Sequence, residues 1–343
     1  MTHTAQLDPW HTVTDIPPLT SSAEEHIAFA LRAAILAPSS HNTQPWRFRV
    51  SGETIELFAD RSRALPVVDR HHRELIMSCG AALFHLRVAL RALGHDPVVT
   101  RIPGGGNPDL LARVELGAQV EPSAEDRQLL MAIPARRTNR LPFEQRSIPK
   151  RLAQELKHVV AREGAQLALI TTDEAKSHIS SLIAEGDRLQ WNDRRFRAEL
   201  AAWTRANHSA SNDGIPGYGL GHGEVSSVVG PLVIRTFDLG DGQAARDRQL
   251  ADGSPALAVL LTDWEGPAEW LAAGEALDQL LLRAQGEGVS ASFLNQPVEE
   301  ASLRPRLRKL LGEHGFPQLV LRLGYPLNES RPTPRRALED VVL

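Results

Sequence analysis

The chain has 343 residues, of which 42% are hydrophobic and 23% charged, and its formal net charge is −4. These values are typical of globular proteins, so they exclude disordered and fibrous classes, and the acidic balance gives no basic field for a nucleic-acid partner. A chain of this length predicts two domains of about 150 to 200 residues each.

The sequence also bears on compartment and redox chemistry. It has no uncharged apolar run of the roughly 20 residues that a membrane span needs, and residues 1–18 lack a basic or apolar leader segment. We therefore expect a cytoplasmic protein with no membrane partner. The single cysteine, Cys79, excludes an internal disulfide and lies in the apolar run LIMSCGAALFHL, which favours a buried structural thiol over a reactive one.

The first predicted element is an amphipathic helix over residues 22–37, with a serine at its start and acidic residues in its first turn. The polar stretch APSSHNTQPW follows at 37–46, and it could cap the helix or hold a ligand. The segments PWRFRV and ETIELFA predict the two strands of a hairpin, and residues 73–93 predict a long buried helix.

Further along the chain, RIPGGGNPD predicts a turn and LLARVELG a strand. The segment PKRLAQELKHVVAREG predicts a second helix that runs into the strand AQLALITT. The glycine-rich stretch NDGIPGYGLGHGEV at 212–225 has no nucleotide-binding fingerprint. Near the end, RPRLRKLL at 304–311 predicts an amphipathic helix with a solvated basic face.

An internal repeat predicts the domain organisation. The pattern Gly-x-Ala-Leu-x-x-Leu, with a further glycine fourteen residues after the first, occurs at 80–94 and again at 274–288. A predicted helix and strand precede each copy. We therefore predict two copies of one α+β unit, at 1–130 and 131–343. The second copy carries an insertion at about 175–250, which is either a lid over a ligand or a surface elaboration without function.

Two motifs give a family resemblance. APSSHNTQPW resembles the "APS-x-x-N-x-QPW" segment of FMN-dependent nitroreductases, and RRTNRLPF at 136–143 resembles the "RRS-x-R-x-F" phosphate-binding start of that family. Together with LNQP at 294–297 and PTPRR at 332–336, they resemble the Acg-type branch, in which two nitroreductase-like halves are fused. The resemblance implies an α+β nitroreductase-like fold in which tandem halves mimic a dimer within one chain.

The order of the two motifs is informative. In ordinary nitroreductases the arginine segment precedes the Pro-Ser loop, and each flavin site takes the arginines from one subunit and the loop from the other. Here the first half keeps the loop without the arginines, whereas the second keeps the arginines and has AREGAQLAL in place of the loop. The resemblance therefore implies one complete FMN site between the halves. A monomer suffices for that site, and a homodimer is also possible.

The resemblance also implies the cofactor contacts. Six residues are expected at the phosphate and ribityl chain, namely Arg136, Arg137, Thr138, Arg140, Arg335 and Arg336, since guanidinium groups bind a phosphate dianion through paired charged hydrogen bonds. The loop is expected to contact the ring and ribityl chain through Pro38, Ser39, Ser40, Asn42 and Gln44. Main-chain amides are expected at the N5 and O4 edge of the ring from Leu294, Asn295 and Gln296.

The implied function is an FMN-dependent oxidoreductase that uses NAD(P)H to reduce a nitroaromatic or quinone-type acceptor. No side chain has to act as nucleophile or acid in that scheme, so we predict no catalytic residue. An alternative is a flavin-sequestering or storage protein with a lid and little turnover, and a third is a different flavin chemistry. The pair His71 and His72 has no third ligand at suitable spacing, so we predict no metal site.

Overall fold

The computed structural model describes residues 9–11, 13–220, 224–236 and 238–343. The elements of the first half are, in chain order, α1 (Ala23–Ala34), β1 (Trp46–Ser51), β2 (Thr54–Ala59), α2 (Arg73–Ala92), β3 (His95–Arg101), β4 (Leu110–Gln119) and α3 (Ala124–Ala132). The strands form an antiparallel sheet in the order β1-β2-β4-β3. The predicted first helix, hairpin, buried helix and strand are confirmed here.

The second half and its insertion are longer. Their elements are, in chain order, α4 (Lys150–Arg162), β5 (Gln166–Ile170), α5 (Asp173–Asn192), α6 (Arg194–Ala202), β6 (Thr204–Arg205), β7 (Ile215–Pro216), α7 (Glu224–Thr236), α8 (Gly240–Asp252), β8 (Ala256–Thr262), α9 (Pro267–Gly286), β9 (Ser290–Phe293), α10 (Gln296–Glu299), α11 (Arg304–Leu310) and β10 (Phe316–Gly324). The large antiparallel sheet has the order β5-β8-β10-β9, and β6 and β7 form a small parallel pair inside the insertion.

The two large sheets have the same topology. When β6 and β7 are set aside, each sheet places its first strand beside its second, then its fourth and then its third. A long helix, α2 or α9, joins the second strand to the third in both halves. This arrangement confirms the predicted α+β fold built from duplicated halves. The predicted boundary at residue 130 falls within α3, whose Leu129 and Leu130 belong to the core of the first half.

The repeat glycines lie where α2 and α9 cross. A Cβ on Gly274 would overlap the carbonyl oxygen of Met77 and lie 2.9 Å from the Cα of Gly80. A Cβ on Gly80 would overlap the carbonyl oxygen of Leu271 and lie 3.0 Å from the Cα of Gly274. Gly274 thus packs against the backbone of Met77, three residues before Gly80, and Gly80 packs against the backbone of Leu271, three residues before Gly274. This reciprocal contact is the local two-fold relation that a duplicated fold requires.

The α2 helix is the centre of the fold. By length and composition it could cross a membrane, yet 89% of its apolar window is buried inside the protein. Cys79 is fully buried on this helix, and its thiol donates to the carbonyl oxygen of Pro45 at 3.2 Å, as expected of a structural cysteine. Burial raises the pKa of the Cys79 thiol, so the reactive thiolate is disfavoured.

A buried carboxylate joins the halves beside this crossing. Glu275 on α9 is fully buried, and it accepts hydrogen bonds from Arg87 Nη1 on α2 at 2.7 Å and from Arg101 Nε on β3 at 2.6 Å. Glu163, after α4, also accepts from Arg87 at 2.6 Å. The network satisfies a charge that would otherwise be costly to bury.

Replacing Glu275 by glutamine is therefore expected to destabilise the protein. Removing one member of a buried ion pair typically costs about 3 to 5 kcal/mol, and we expect the lower end because Arg87 and Arg101 retain contact with water. Urea unfolding monitored by circular dichroism measures the change. Glu125→Gln is the control, because Glu125 pairs with Arg162 on the surface and such pairs contribute under about 1 kcal/mol. If the two variants lose the same free energy of unfolding, then the buried network of Glu275 does not stabilise the protein more than a surface ion pair does.

Candidate functional site

The site begins with the loop that follows α1. His41, Asn42 and Gln44 all have positive φ values, of 51°, 54° and 52°. Side chains disfavour this left-handed region, and three such residues within four positions form a strained backbone of the kind found at binding sites. The side chain of Ser39 compensates in part, since its Oγ accepts from Gln44 N at 2.9 Å. The chain therefore holds this loop in one specific shape.

The loop borders a cavity of about 240 Å³ that is lined by both halves. The cavity wall includes eleven of the fourteen predicted contact residues: Pro38, Ser39, Ser40, Asn42, Arg136, Arg137, Thr138, Arg140, Asn295, Gln296 and Arg335. Four separate segments of the chain contribute them. The structure thus brings the predicted loop and both predicted arginine groups to one place, while their contact with a cofactor stays a prediction.

Three predicted residues do not line the cavity. Gln44 is fully buried, where its Oε1 accepts from Arg336 N at 2.8 Å. The Arg336 side chain turns back to donate to the carbonyl oxygen of Gln44 at 3.2 Å. Leu294 packs in the core, and its amide donates to Val320 O at 2.8 Å within the sheet, so that amide is not available to a ligand. Gln44 and Arg336 instead tie the loop to the C-terminal segment.

The cavity wall carries an excess of positive charge. Among its described residues are five arginines and two carboxyl groups, namely Arg136, Arg137, Arg140, Arg331 and Arg335, with Glu74 and Glu299. The Nε atoms of Arg136 and Arg335 are buried without a hydrogen-bond partner. Burial, together with the nearby Arg137 charge, lowers the pKa of Arg136 to about 10. Buried cations with unused donors suit an anionic ligand such as a phosphate.

Arg335 connects the two halves at this point. Its Nη1 donates to Asn42 Oδ1 at 2.9 Å, and its Nη2 donates to the carbonyl oxygens of Leu36 and Ala37 at 3.1 and 3.2 Å. Its guanidinium lies over the Trp10 ring, 4.8 Å from the ring centroid. Burial and the neighbouring charges of Arg136 and Arg137 lower the pKa of Arg335. An anion bound here would relieve that repulsion.

A second cationic group lies beside the loop. Arg140 Nη1 donates weakly to Gly219 O at 3.4 Å, and burial lowers the pKa of Arg140. Burial and the Arg140 charge lower the pKa of His41 to about 4, so this ring is neutral at physiological pH. Asp247 offsets part of the positive charge near Arg140. The site therefore combines fixed cations with a neutral imidazole.

The insertion closes over the cavity. Asn42 Nδ2 donates to Gly214 O at 3.0 Å, and Phe196 and Ile215 line the wall. The carboxylate of Asp213 accepts from Arg205 Nη2 at 2.9 Å and also pairs with Arg63, so the insertion is anchored to the first half. This geometry agrees with the predicted position of a lid, but it does not test whether the insertion opens. Residues 221–223 of the glycine-rich stretch lie outside the described residues.

Sequence reasoning missed several residues of the wall. The apolar part of the wall comes from Met77, Phe196, Ile215, Leu277, Phe293 and Leu319. Because these residues are hydrophobic, the sequence indicated that they lie in the core. No sequence pattern distinguishes an apolar residue that lines a cavity from one that is packed in the core. Glu74 and Glu299 were also missed. An acid within a long buried helix is unusual and could have indicated Glu74, whereas Glu299 ends a short helix and carries no such signal. Within the described residues, no cluster of three or more His, Cys, Asp or Glu could hold a metal ion.

Comparison with known proteins identifies the family. No family model matches the chain. Two Mycobacterium tuberculosis relatives bear the name "Putative NAD(P)H nitroreductase": Rv3131 is 33% identical over 323 residues, covering 93% of this chain and 91% of its own, and acg is 31% identical over 329 residues, covering 94% and 97%. The chain belongs to the Acg-type nitroreductase family. The FMN-dependent nitroreductase NfnB of Mycobacterium smegmatis is 15% identical, with a TM-score of 0.41 over 62% of this chain and 96% of its own.

This membership confirms the resemblance drawn from the motifs. In this Acg-type chain the connection between helix and first strand spans residues 35–45 in the first half and only 163–165 in the second. The second half thus lacks a counterpart of the strained loop. Among the described residues, the cavity beside this loop is lined by both halves, and the prediction that the chain forms a single cofactor site stays a prediction.

Proposed function

We propose that the chain is an FMN-dependent NAD(P)H oxidoreductase that reduces nitroaromatic or quinone-type acceptors. One observation carries the proposal: Arg136 and Arg335, whose buried Nε atoms have no hydrogen-bond partner, both line the cavity bordered by the strained loop. These donors fit the phosphate of FMN, which is close to a dianion at neutral pH. When bound, FMN supplies a ring that accepts and donates hydride equivalents.

The roles of the residues follow from their positions. Arg136, Arg137 and Arg335 would hold the phosphate, while Thr138 and Asn42 would contact the ribityl chain. The apolar wall, including Leu277 and Phe293, would pack against the flat ring and exclude water. Arg140 would also bind the phosphate or the ribityl chain, and its positive charge would favour the anionic reduced state of the ring.

A second function is favoured by the closed insertion. The Asn42 contact to Gly214 and the Asp213 contacts to Arg63 and Arg205 place the insertion across the cavity. If these contacts persist, FMN would be retained and shielded from reductants. The protein would then sequester or store the flavin with little turnover.

Anaerobic reduction distinguishes these functions. We expect the purified protein to bind one FMN per chain, to be yellow, and to bleach when NADPH or NADH is added. Reoxidation by a nitroaromatic compound or a quinone would then support the reductase. Yellow protein that stays yellow, together with an Asp213→Ala variant that bleaches, would instead support sequestration by the insertion. Protein that takes up no added FMN would contradict both functions.

A further inference from the structure

A pair of carboxyl groups lies in the wall of the cavity, and no role in the proposed function has been given to it. Glu74 is at the start of α2 and Glu299 is at the end of α10, and both line the cavity. Burial raises the pKa of Glu299, and the two carboxyl groups are close enough for the charge of Glu74 to raise that pKa further. Two ionised carboxyl groups at such close range in a buried wall repel each other, and a single proton on one of them relieves that repulsion. The site therefore favours a proton shared by the pair.

The surrounding groups decide which residue carries that proton. Ser40 Oγ donates to Glu74 Oε2 at 2.5 Å, and Arg73 Nη2 lies 3.3 Å from Glu74 Oε1, so both stabilise a negative charge on Glu74. Glu299 has one neutral donor, Gln190 Nε2, at 2.6 Å from its Oε2. Burial and the adjacent Glu74 charge raise the pKa of Glu299 well above its ordinary value. Glu299 is therefore the acid and Glu74 the carboxylate.

The other charged groups near the pair do not supply enough positive charge for both glutamates to ionise. Arg73 is the positive charge that faces the pair, and its guanidinium is shared with the oxygens of Gln318 and Val298. Asp69, in the turn before α2, adds a negative charge that raises the pKa of Glu74. One guanidinium thus faces up to three carboxyl groups, so ionising both glutamates would leave uncompensated negative charge.

We propose that Glu299 donates the proton it shares with Glu74 to the acceptor molecule as that molecule is reduced in the cavity. The proposal rests on the proposed function. In quinone reduction, for example, the acceptor gains a hydride that originates from the reduced nicotinamide and a proton from Glu299. The Glu299 O–H bond breaks, an O–H bond forms on the acceptor oxygen, and solvent later returns a proton to the pair. The products are the hydroquinone and the oxidised nicotinamide.

The first test uses the protein without cofactor and substrate. Glu299→Gln keeps the shape and can still donate to Glu74, but it has no proton to release. The infrared spectrum of the wild type at neutral pH should contain a carboxylic-acid carbonyl band that is weaker in Glu299→Gln; Asp187, whose pKa burial raises to about 8, contributes to this band in both proteins. Glu174→Gln, an exposed position on α5, should retain the band. Identical spectra of wild type and Glu299→Gln would overturn the shared proton.

Stability against pH gives a second readout without cofactor. A carboxyl group whose folded pKa is raised stabilises the folded state below its unfolded pKa of about 4.3, and this contribution is lost as pH rises toward the folded pKa. The melting temperature of Glu299→Gln should therefore fall less than that of the wild type as pH increases from acidic to neutral. Parallel curves would count against a raised pKa at Glu299.

The kinetic test separates the two half-reactions. In FMN-loaded protein, Glu299→Gln should reduce the rate of acceptor reduction by about 10²–10⁴-fold and abolish its fall at high pH, because general acid catalysis contributes about that much. Reduction of the protein by NADPH should slow far less than acceptor reduction, because hydride delivery by the nicotinamide takes no proton from Glu299. Glu74→Gln should shift the fall in rate to lower pH, since Glu299 would lose its negative neighbour.

The outcomes distinguish this proposal from the proposed function. If the wild type is reduced by NADPH and the acceptor step of Glu299→Gln matches wild type at every pH, the proton donation is wrong and the oxidoreductase function stands. If the wild type takes up no FMN, the proposed function fails and the donation fails with it, whereas the infrared comparison still decides whether the pair shares a proton.

Discussion

A double variant in which Arg136 and Arg140 are replaced by alanine is expected to purify as folded protein with little or no FMN. Hydrogen bonds to charged groups contribute about 1.5 to 3 kcal/mol each, so the loss of two such arginines should raise the Kd for FMN by at least about a hundredfold. Fluorescence titration of the cofactor-free protein with FMN measures the change. Arg151→Ala is the control, because Arg151 is exposed and pairs with surface glutamates.

A substitution at Arg136 alone leads to an opposite prediction for stability. Arg136 is 4% exposed and its Nε has no partner, so the cofactor-free protein bears the cost of an incompletely compensated buried cation. Arg136→Met should therefore lose FMN affinity while keeping or raising the urea midpoint of the cofactor-free protein. If Arg136→Met lowers the urea midpoint of the cofactor-free protein as well as the affinity for FMN, then Arg136 has a structural role instead of a ligand-binding one.

Replacing Gly274 by alanine is expected to have the largest effect on the fold. The new Cβ would overlap the carbonyl of Met77, and because this obstacle is backbone, α2 and α9 must separate. Overpacking of this kind typically costs 1 to 3 kcal/mol, and we expect about 3 kcal/mol or more here. Because residues of both halves line the cavity, FMN affinity should fall as well. Gly286→Ala, at the end of the same helix, is the control, since its Cβ would approach only an arginine side chain at 3.6 Å.

A double-mutant cycle sharpens this prediction. Gly80→Ala should be destabilising for the same reason, since its Cβ would overlap the carbonyl of Leu271. The two substitutions together should cost less than the sum of their separate effects, because one separation of the helices accommodates both new methyl groups. Urea unfolding measures the free energy of each variant. If the double variant loses the sum of the two separate losses in unfolding free energy, then the two glycines are not in direct contact.

Much of the fold could be predicted because each half repeats strong local signals. Ser22 at a helix start, the alternation of ETIELFA and the apolar length of α2 each matched the structure. In contrast, β3 was missed because it lies at the edge of its sheet, and only His95 of its residues is buried, so the sequence has no clear alternation. Pro97 within β3 is tolerated because the strand is an edge strand and the pairing with β4 shifts register at this residue.

The candidate site was predictable where the sequence carried motifs and not where it depended on packing. The loop at 38–42 and the arginines at 136–140 lie in recognisable segments. Glu74 and Glu299 are 225 residues apart, and their proximity depends on how α2 and α10 pack, which no local pattern records. Leu294 was misplaced because its position in the motif did not reveal that its amide already belongs to the sheet.

The contact between Arg335 and Asn42 also bears on how the protein is made. These residues are separated by 293 positions, and the loop of the first half depends on hydrogen bonds from the C-terminal segment. During synthesis the ribosome completes the loop long before it adds Arg335. A nascent chain that already contains the first half would thus still lack the hydrogen bonds that Arg335 and Arg336 donate to the loop, so the loop would reach its final shape only after the C-terminal segment is made.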